Sequence, residues 1–171
     1  MSLGLYLHIP YCFSKCRYCD FYSHPGERGV PEAYVDALLR ELSRFAPEAP
    51  LQPDTLYFGG GTPSLLRPEQ AKQLIDAARP MPGAEITLEA NPETVTEESL
   101  AGFREAGVNR ISFGVQSARD TQLRTLGPAH AGAAAHGKAG AGCICRRAAR
   151  RLCEHQRRHH AGTAALHRSR V

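Results

Sequence analysis

Apolar and polar positions along the first 128 residues fall into runs that alternate between two periods. Residues 3–9 are short, apolar and rich in β-forming side chains, which predicts a strand. Residues 31–45 follow as a helix, with Ala33, Ala37, Leu38 and Leu42 near helical spacing. Residues 54–58 predict a second strand, stopped by Gly59-Gly60-Gly61, and 68–78 a second helix with Leu74, Ala77 and Ala78 on one side. A third strand is expected over 85–90. The third helix, over 96–106, has Thr96, Glu98 and Ser99 at its start and Gly107 at its stop. A fourth strand over 110–115 and a fourth helix over 119–126 complete the series. Strands alternating with helices imply βα units and a parallel sheet, either doubly wound or closed toward a barrel.

The polar and glycine-rich features recur at one place in each unit, just after the strand. They are a cysteine cluster after the first strand, Gly59–Thr62 after the second, Glu89 and Asn91 at the end of the third, and Gln116 after the fourth. In parallel α/β architectures the carboxyl ends of the strands share one face, and ligands bind there. These four features are therefore expected to line one pocket.

Composition divides the chain in two. Residues 1–128 carry 12 Lys and Arg against 16 Asp and Glu, whereas residues 129–171 carry 9 Lys and Arg against the single acid Glu154. The second stretch has no Asp, Phe, Tyr, Pro, Asn or Met, yet holds six of the eight histidines and three of the six cysteines. No apolar run approaches 18 residues and the N-terminus lacks a basic-then-apolar leader, so no transmembrane segment is expected and a cytoplasmic location is the default. In a reducing compartment six cysteines point to metal or redox chemistry before disulfides.

Cys12, Cys16 and Cys19 have the spacing C-x3-C-x2-C. Thiolates are soft ligands for iron–sulfur clusters or zinc. Three ligands in eight residues can hold three irons of a cubane and leave the fourth open for chemistry. A structural zinc site would show two separated cysteine pairs, a poor match to one triplet.

This triplet, with Tyr18 just before the third cysteine, resembles the signature of the radical S-adenosylmethionine (SAM) superfamily. Leu5–Cys12, Tyr18-Cys19-Asp20-Phe21, Phe58–Ser64, Glu89–Thr94 and Arg110–Ser117 narrow the resemblance. Together, over residues 3–127, they resemble the oxygen-independent coproporphyrinogen III oxidase-like group and, within it, the heme chaperone (HemW-type) branch. The porphyrinogen-decarboxylating members carry a further cysteine two positions after the third. Phe21 stands there in this chain, which favours the chaperone branch.

The resemblance implies a partial TIM-type (β/α) barrel, cut off after about four βα units. It implies a 4Fe-4S cluster on Cys12, Cys16 and Cys19, with SAM at the fourth iron. SAM would be held by Tyr6 at the methionine carboxylate, Tyr18 beside the adenine, Gly60, Gly61 and Thr62 at the amino end, and Glu89 and Gln116 at the ribose and methionine parts. Heme or a porphyrin would be the cargo, with an electron donor and a heme recipient as partners. Coproporphyrinogen III decarboxylation is the alternative activity, and an inactive frameshifted fragment is a third reading. His8, Asn109 and Arg110 are assigned no chemistry.

After Gly127 the resemblance stops, and Pro128 stands where the family has an arginine that contacts the cofactor. Residues 128–171 lack apolar periodicity and read as a GC-rich gene translated out of frame. Read one base later, the codons of Pro128-Ala129 permit Arg, those of His130-Ala131 permit Thr, and those of residues 156–159 permit Ser-Val-Asp-Ile, in the family's order. Such a tail is expected to be disordered. A basic tail can also bind nucleic acid, and Cys143, Cys145 and Cys153 with His155, His159 and His160 offer zinc ligands. The spacing Cys143-Ile-Cys145 suits zinc poorly, so neither partner is expected. Four units alone leave an exposed sheet edge, and the chain is expected to be of low stability.

Overall fold

A computed structural model describes residues 3–45, 51–117 and 119–126. The tail from 128 onward, with its expected disorder and its Cys/His cluster, lies outside the described residues.

The strands form because their apolar side chains alternate. Strand β1 (Gly4–Ile9) buries Leu7 and Ile9, β4 (Thr55–Gly60) buries Leu56 and Phe58, and β5 (Glu85–Ala90) buries Ile86 and Leu88. They join β6 (Arg110–Phe113) in one parallel sheet of order β1-β4-β5-β6. The buried face packs against α1 (Glu32–Phe45), α2 (Pro68–Ala78) and α3 (Glu97–Glu105) in a single core. Helix α4 (Asp120–Leu126) follows β6. The parallel α/β architecture expected from the sequence is the one observed. Among the described residues no helix is long and apolar enough to cross a membrane.

Several boundaries move for local reasons. Gly59 and Gly60 do not stop the second strand. They belong to it, because Gly60 pairs with Ile9. The fourth strand ends at Phe113, where Gly114 N–H turns to Ala90 O. The core stripe of α1 is Val35 and Leu42 with Leu38 and Leu39 beside it, and Ala33 is exposed. On α2 the stripe is Ala71, Leu74, Ile75 and Ala78, and Ala77 faces solvent. Period alone left two small residues on the wrong side of their stripes.

Two short elements were not legible. A two-residue ladder pairs β2 (Tyr11–Cys12) with β3 (His24–Pro25), and a 3-10 turn spans Pro63–Leu65. The ladder is set by long-range hydrogen bonds such as His24 N–H to Pro10 O, whereas the 3-10 turn is closed locally by Leu65 N–H to Thr62 O and Leu66 N–H to Pro63 O.

Helix ends follow the expected chemistry. Thr96 Oγ1 accepts from Ser99 N–H at 3.1 Å, and Ser99 Oγ accepts from Thr96 N–H at 2.8 Å, a reciprocal cap with serine at the third position. Gly107, with φ +114°, ends α3 in a left-handed turn, and Val108 N–H reaches back to Phe103 O. Gln70 is buried at the start of α2. Its Nε2 donates to Val30 O at 3.0 Å and its Oε1 accepts from Arg67 N–H at 2.9 Å, so it ties the exit of the cysteine loop to the second helix.

Helices α2 and α3 meet where Gly102 lies against Pro68. A methyl group on Gly102 would come within 2.7 Å of the proline ring. Alanine gains up to about 1 kcal/mol of helix propensity, while forcing an extra methyl into a packed contact costs about 1–3 kcal/mol. Gly102→Ala is therefore expected to lower stability by roughly 1 kcal/mol in urea unfolding of the chain. A stabilised variant would mean that the helices separate easily.

Candidate functional site

The cysteine loop is held to the sheet by backbone bonds that continue the β1–β4 ladder. Gly61 N–H donates to Ile9 O at 2.8 Å, and Thr62 N–H donates to Tyr11 O at 2.7 Å. These place the glycine turn directly under Cys12, whose Sγ lies 3.6 Å from Thr62 Oγ1. Gly61 has no room for a side chain. A Cβ there would meet Tyr11 O at 2.6 Å and Cys12 Sγ at 2.9 Å. Gly60 needs glycine for its backbone, since its φ is +115°. The far side of the loop is closed by His24 N–H to Pro10 O, Gly26 N–H to Phe13 O and Glu27 N–H to Cys12 O. Arg17 N–H reaches Leu126 O at the end of α4.

One cavity of about 730 Å³ opens over these strand ends. Its wall includes Cys12, Cys16, Cys19, Tyr18, Gly60, Gly61, Thr62, Glu89 and Gln116, together with Asn91. All four strand-end features thus meet in one place, as the βα pattern predicts. Tyr6 is the exception. It lies three residues before the end of β1, outside the cavity wall, with its hydroxyl 3.1 Å from His8 Nδ1 and its ring stacked on Tyr57. The side chain of a mid-strand residue stands perpendicular to the sheet, which keeps it from the strand ends.

Glu89 is clamped at both oxygens. Tyr57 O–H donates to Oε1 at 2.7 Å, and Gly60 N–H donates to Oε2 at 3.3 Å. The bond to Glu89 raises the Tyr57 pKa, with burial adding to it. Tyr57 is the residue that sequence reasoning missed. Its signal was the strand period, which puts residues 57 and 59 on the face opposite Leu56 and Phe58. Asn109 and Arg110 serve the sheet. Asn109 accepts from Ile86 N–H and donates to Ala84 O, and Arg110 reaches Glu85 and Thr87.

The three cysteines on the cavity wall are thiols outside any disulfide. Burial pushes the Cys16 thiol up, and the neighbouring Cys19 and Cys12 push it further, while a hydrogen bond from Tyr18 works the other way. The donor set suits an iron–sulfur cluster. Among the described residues no three of His, Cys, Asp and Glu gather closely enough for one metal ion. A cubane presents its irons at separate corners, so its ligands stand apart around it. Ser14 Oγ and Ser23 Oγ are buried without a hydrogen-bond partner among the described residues, and both serines line the same cavity. The wall thus joins soft ligands to unspent donors, and the residues present fit a cluster.

The sequence profile of the radical SAM superfamily matches residues 6–134. The chain belongs to that superfamily. It is 46% identical over 134 residues to the heme chaperone HemW of Escherichia coli (strain K12), covering 75% of this chain and 35% of that protein. It is 41% identical over 135 residues to the mitochondrial radical S-adenosyl methionine domain-containing protein 1 of Bos taurus, covering 74% of this chain and 30% of that protein. Among solved structures it resembles coproporphyrinogen III oxidase (HemN) from Escherichia coli, described as a radical SAM enzyme. That match has a TM-score of 0.66 and 31% identity, over 73% of this chain and 30% of the other. The chain spans about a third of the length of the relatives it matches.

Two outcomes test this arrangement. Gly61→Ala is expected to separate the glycine turn from the cysteine loop and to cost about 1–3 kcal/mol of stability, read by urea unfolding. Unchanged stability would mean that the two loops are not in contact. Glu89→Gln removes the charge that holds the Tyr57 proton, so the Tyr57 pKa falls toward its ordinary value. Absorbance of tyrosinate should then begin to rise at lower pH in the variant than in the parent chain. The sign follows from the direction of the shift. A raised folded-state pKa means that the Tyr57 contribution to stability is present below the ordinary tyrosine value and lost as pH climbs through the folded one.

Proposed function

We propose that this chain binds a 4Fe-4S cluster through Cys12, Cys16 and Cys19 and SAM against Gly60–Thr62, Glu89 and Gln116, within a protein that binds heme and hands it on. The observation that carries the reading is the meeting of four strand-end features in one cavity. The cluster and SAM together supply one-electron cleavage of a sulfonium bond. The chain's own residues do the rest. The glycine turn offers close backbone approach. Glu89, pinned by Tyr57 and Gly60, keeps a carboxylate oriented for ribose hydroxyls. Tyr18, held at Cys16, lies on the wall where an adenine ring would pack. The likeness to heme chaperones supports heme as the cargo.

The likeness to coproporphyrinogen III oxidase favours one second reading, decarboxylation of a porphyrinogen. Phe21, exposed on the cavity wall, counts against it, because the decarboxylating members carry cysteine there.

Anaerobic reconstitution of the full chain with ferrous iron and sulfide tests the proposal. The parent chain is expected to take up a cluster whose electron paramagnetic resonance spectrum changes when SAM is added, and to develop a Soret band with hemin. A variant with Cys12, Cys16 and Cys19 all changed to Ser should take up none. Iron uptake that survives in that variant would assign the metal to Cys143, Cys145 and Cys153 and overturn the reading. Anaerobic formation of protoporphyrinogen would favour the enzyme reading instead.

We also read residues 128–171 as translated out of frame, which their composition supports. Resequencing across codons 120–175 is expected to find a single-base difference that restores an arginine codon at position 128. An unchanged sequence overturns this reading.

A further inference from the structure

Two hydroxyls in the cysteine loop are left without partners. Ser14 Oγ and Ser23 Oγ are buried and reach no hydrogen-bond partner among the described residues. Buried polar atoms are nearly always satisfied, and an orphan calls for a physical reason. Both serines lie on the wall of the cavity that holds the three cysteines. Ser14 is two residues from Cys12 and two from Cys16, and Ser23 is four residues beyond Cys19.

Neither serine sits on loose backbone. Ser14 follows Phe13, whose carbonyl accepts from Gly26 N–H at 3.2 Å, and precedes Lys15, whose Nζ donates to Phe21 O at 3.4 Å. Ser23 is held from both sides. His8 Nε2 lies 3.2 Å from Tyr22 O, and His24 N–H donates to Pro10 O at 2.6 Å. The backbone on either side of each serine is thus tied to the rest of the loop, and the serine side chains keep their rotamer freedom.

A neutral thiol is a weak acceptor, whereas a thiolate accepts strongly. Ligation to iron requires the thiolate. Loading the site therefore creates, on the same loop, the acceptors that these two donors lack. Both serines line the cavity that the three cysteines line, so a hydroxyl turned into that cavity would face those acceptors. Donors to cluster sulfurs withdraw negative charge and favour the reduced state, one of the means by which proteins set a cluster's potential.

We propose that Ser14 and Ser23 are positioning donors to the sulfurs of the cluster site and raise its reduction potential. The inference rests on the reading of Cys12, Cys16 and Cys19 as cluster ligands. It is specific to the loop's own side chains and needs no contact with SAM or heme.

Potentiometry of the full chain, reconstituted anaerobically with ferrous iron and sulfide and followed by electron paramagnetic resonance, tests it. Ser14→Ala combined with Ser23→Ala is expected to disfavour reduction by about tenfold, a negative shift of ~59 mV for one electron. Ser14→Thr with Ser23→Thr keeps both hydroxyls and should keep the parent potential. A double alanine variant with parental iron and sulfide content and an unmoved potential overturns the inference. So does a threonine pair that shifts as far as the alanine pair. If the alanine pair fails to load, the iron–thiolate stretching bands of the parent chain and of each single alanine variant are compared in H2O and D2O. Loss of the deuterium shift in the single variants supports the role, and an unchanged shift overturns it. A parent chain that takes up no cluster strikes down the metal-site reading itself, an outcome distinct from all of these.

Discussion

The site depends on the parallel pairing of β1 with β4. Six residues of each strand lie in register, from Gly4 against Thr55 to Ile9 against Gly60. The ladder then runs past the strands through Gly61 N–H to Ile9 O and Thr62 N–H to Tyr11 O. Those two bonds carry the pairing into the loops and bring a thiol, a glycine turn and a threonine hydroxyl together. A slip of one residue would turn either Leu7 and Ile9 or Leu56 and Phe58 away from the helices. The burial of those four side chains therefore sets where Cys12 stands relative to Gly61.

Alternation also separates two kinds of work across the sheet. One face is apolar and covered by α1, α2 and α3. The other presents Tyr6, His8, Tyr57 and Glu89 along β1, β4 and β5, linked to one another, and Thr87, whose hydroxyl donates to Glu85. Glu89 works at the junction, at the end of a buried strand, with one oxygen held by a side chain of the neighbouring strand and the other by its backbone. A carboxylate fixed in this way needs no reorganisation to meet a ligand.

The cysteine loop has little regular structure, and its order comes from backbone bonds to distant residues. Pro10, Cys12 and Phe13 carbonyls each take an N–H from the return segment at His24, Glu27 and Gly26. Tyr34 O–H donates to His8 O and anchors α1 at the same end of β1. Gln70 ties Val30 to α2. Strand, return loop and two helices thus constrain a segment whose own residues have no helix or strand preference. Such a loop can bring three cysteines to one cavity wall while distant backbone partners hold its own N–H and C=O groups.

Much of this was legible in the chain. Period-2 and period-3.6 patterns located four strands and four helices, because the burial of one face imposes those periods on the sequence. The C-x3-C-x2-C triplet and the strand-end position of Gly60, Gly61, Thr62, Glu89 and Gln116 foretold a shared cavity, because parallel strands all point the same way. Local pattern did not reach the β2–β3 ladder, the extension of β4 through its glycines, or the removal of Tyr6 from the cavity wall. Nor did it reveal that Tyr57 holds Glu89 or that Ser14 and Ser23, on the same cavity wall as the cysteines, have hydroxyls without a partner among the described residues. Each of these is a relation between residues far apart in sequence or between side chains across strands. Sequence by itself determined the order of strands and helices and which chemistry ends each strand. Only the tertiary structure decided which of those groups touch, because contact depends on strand register and on where the return loop closes.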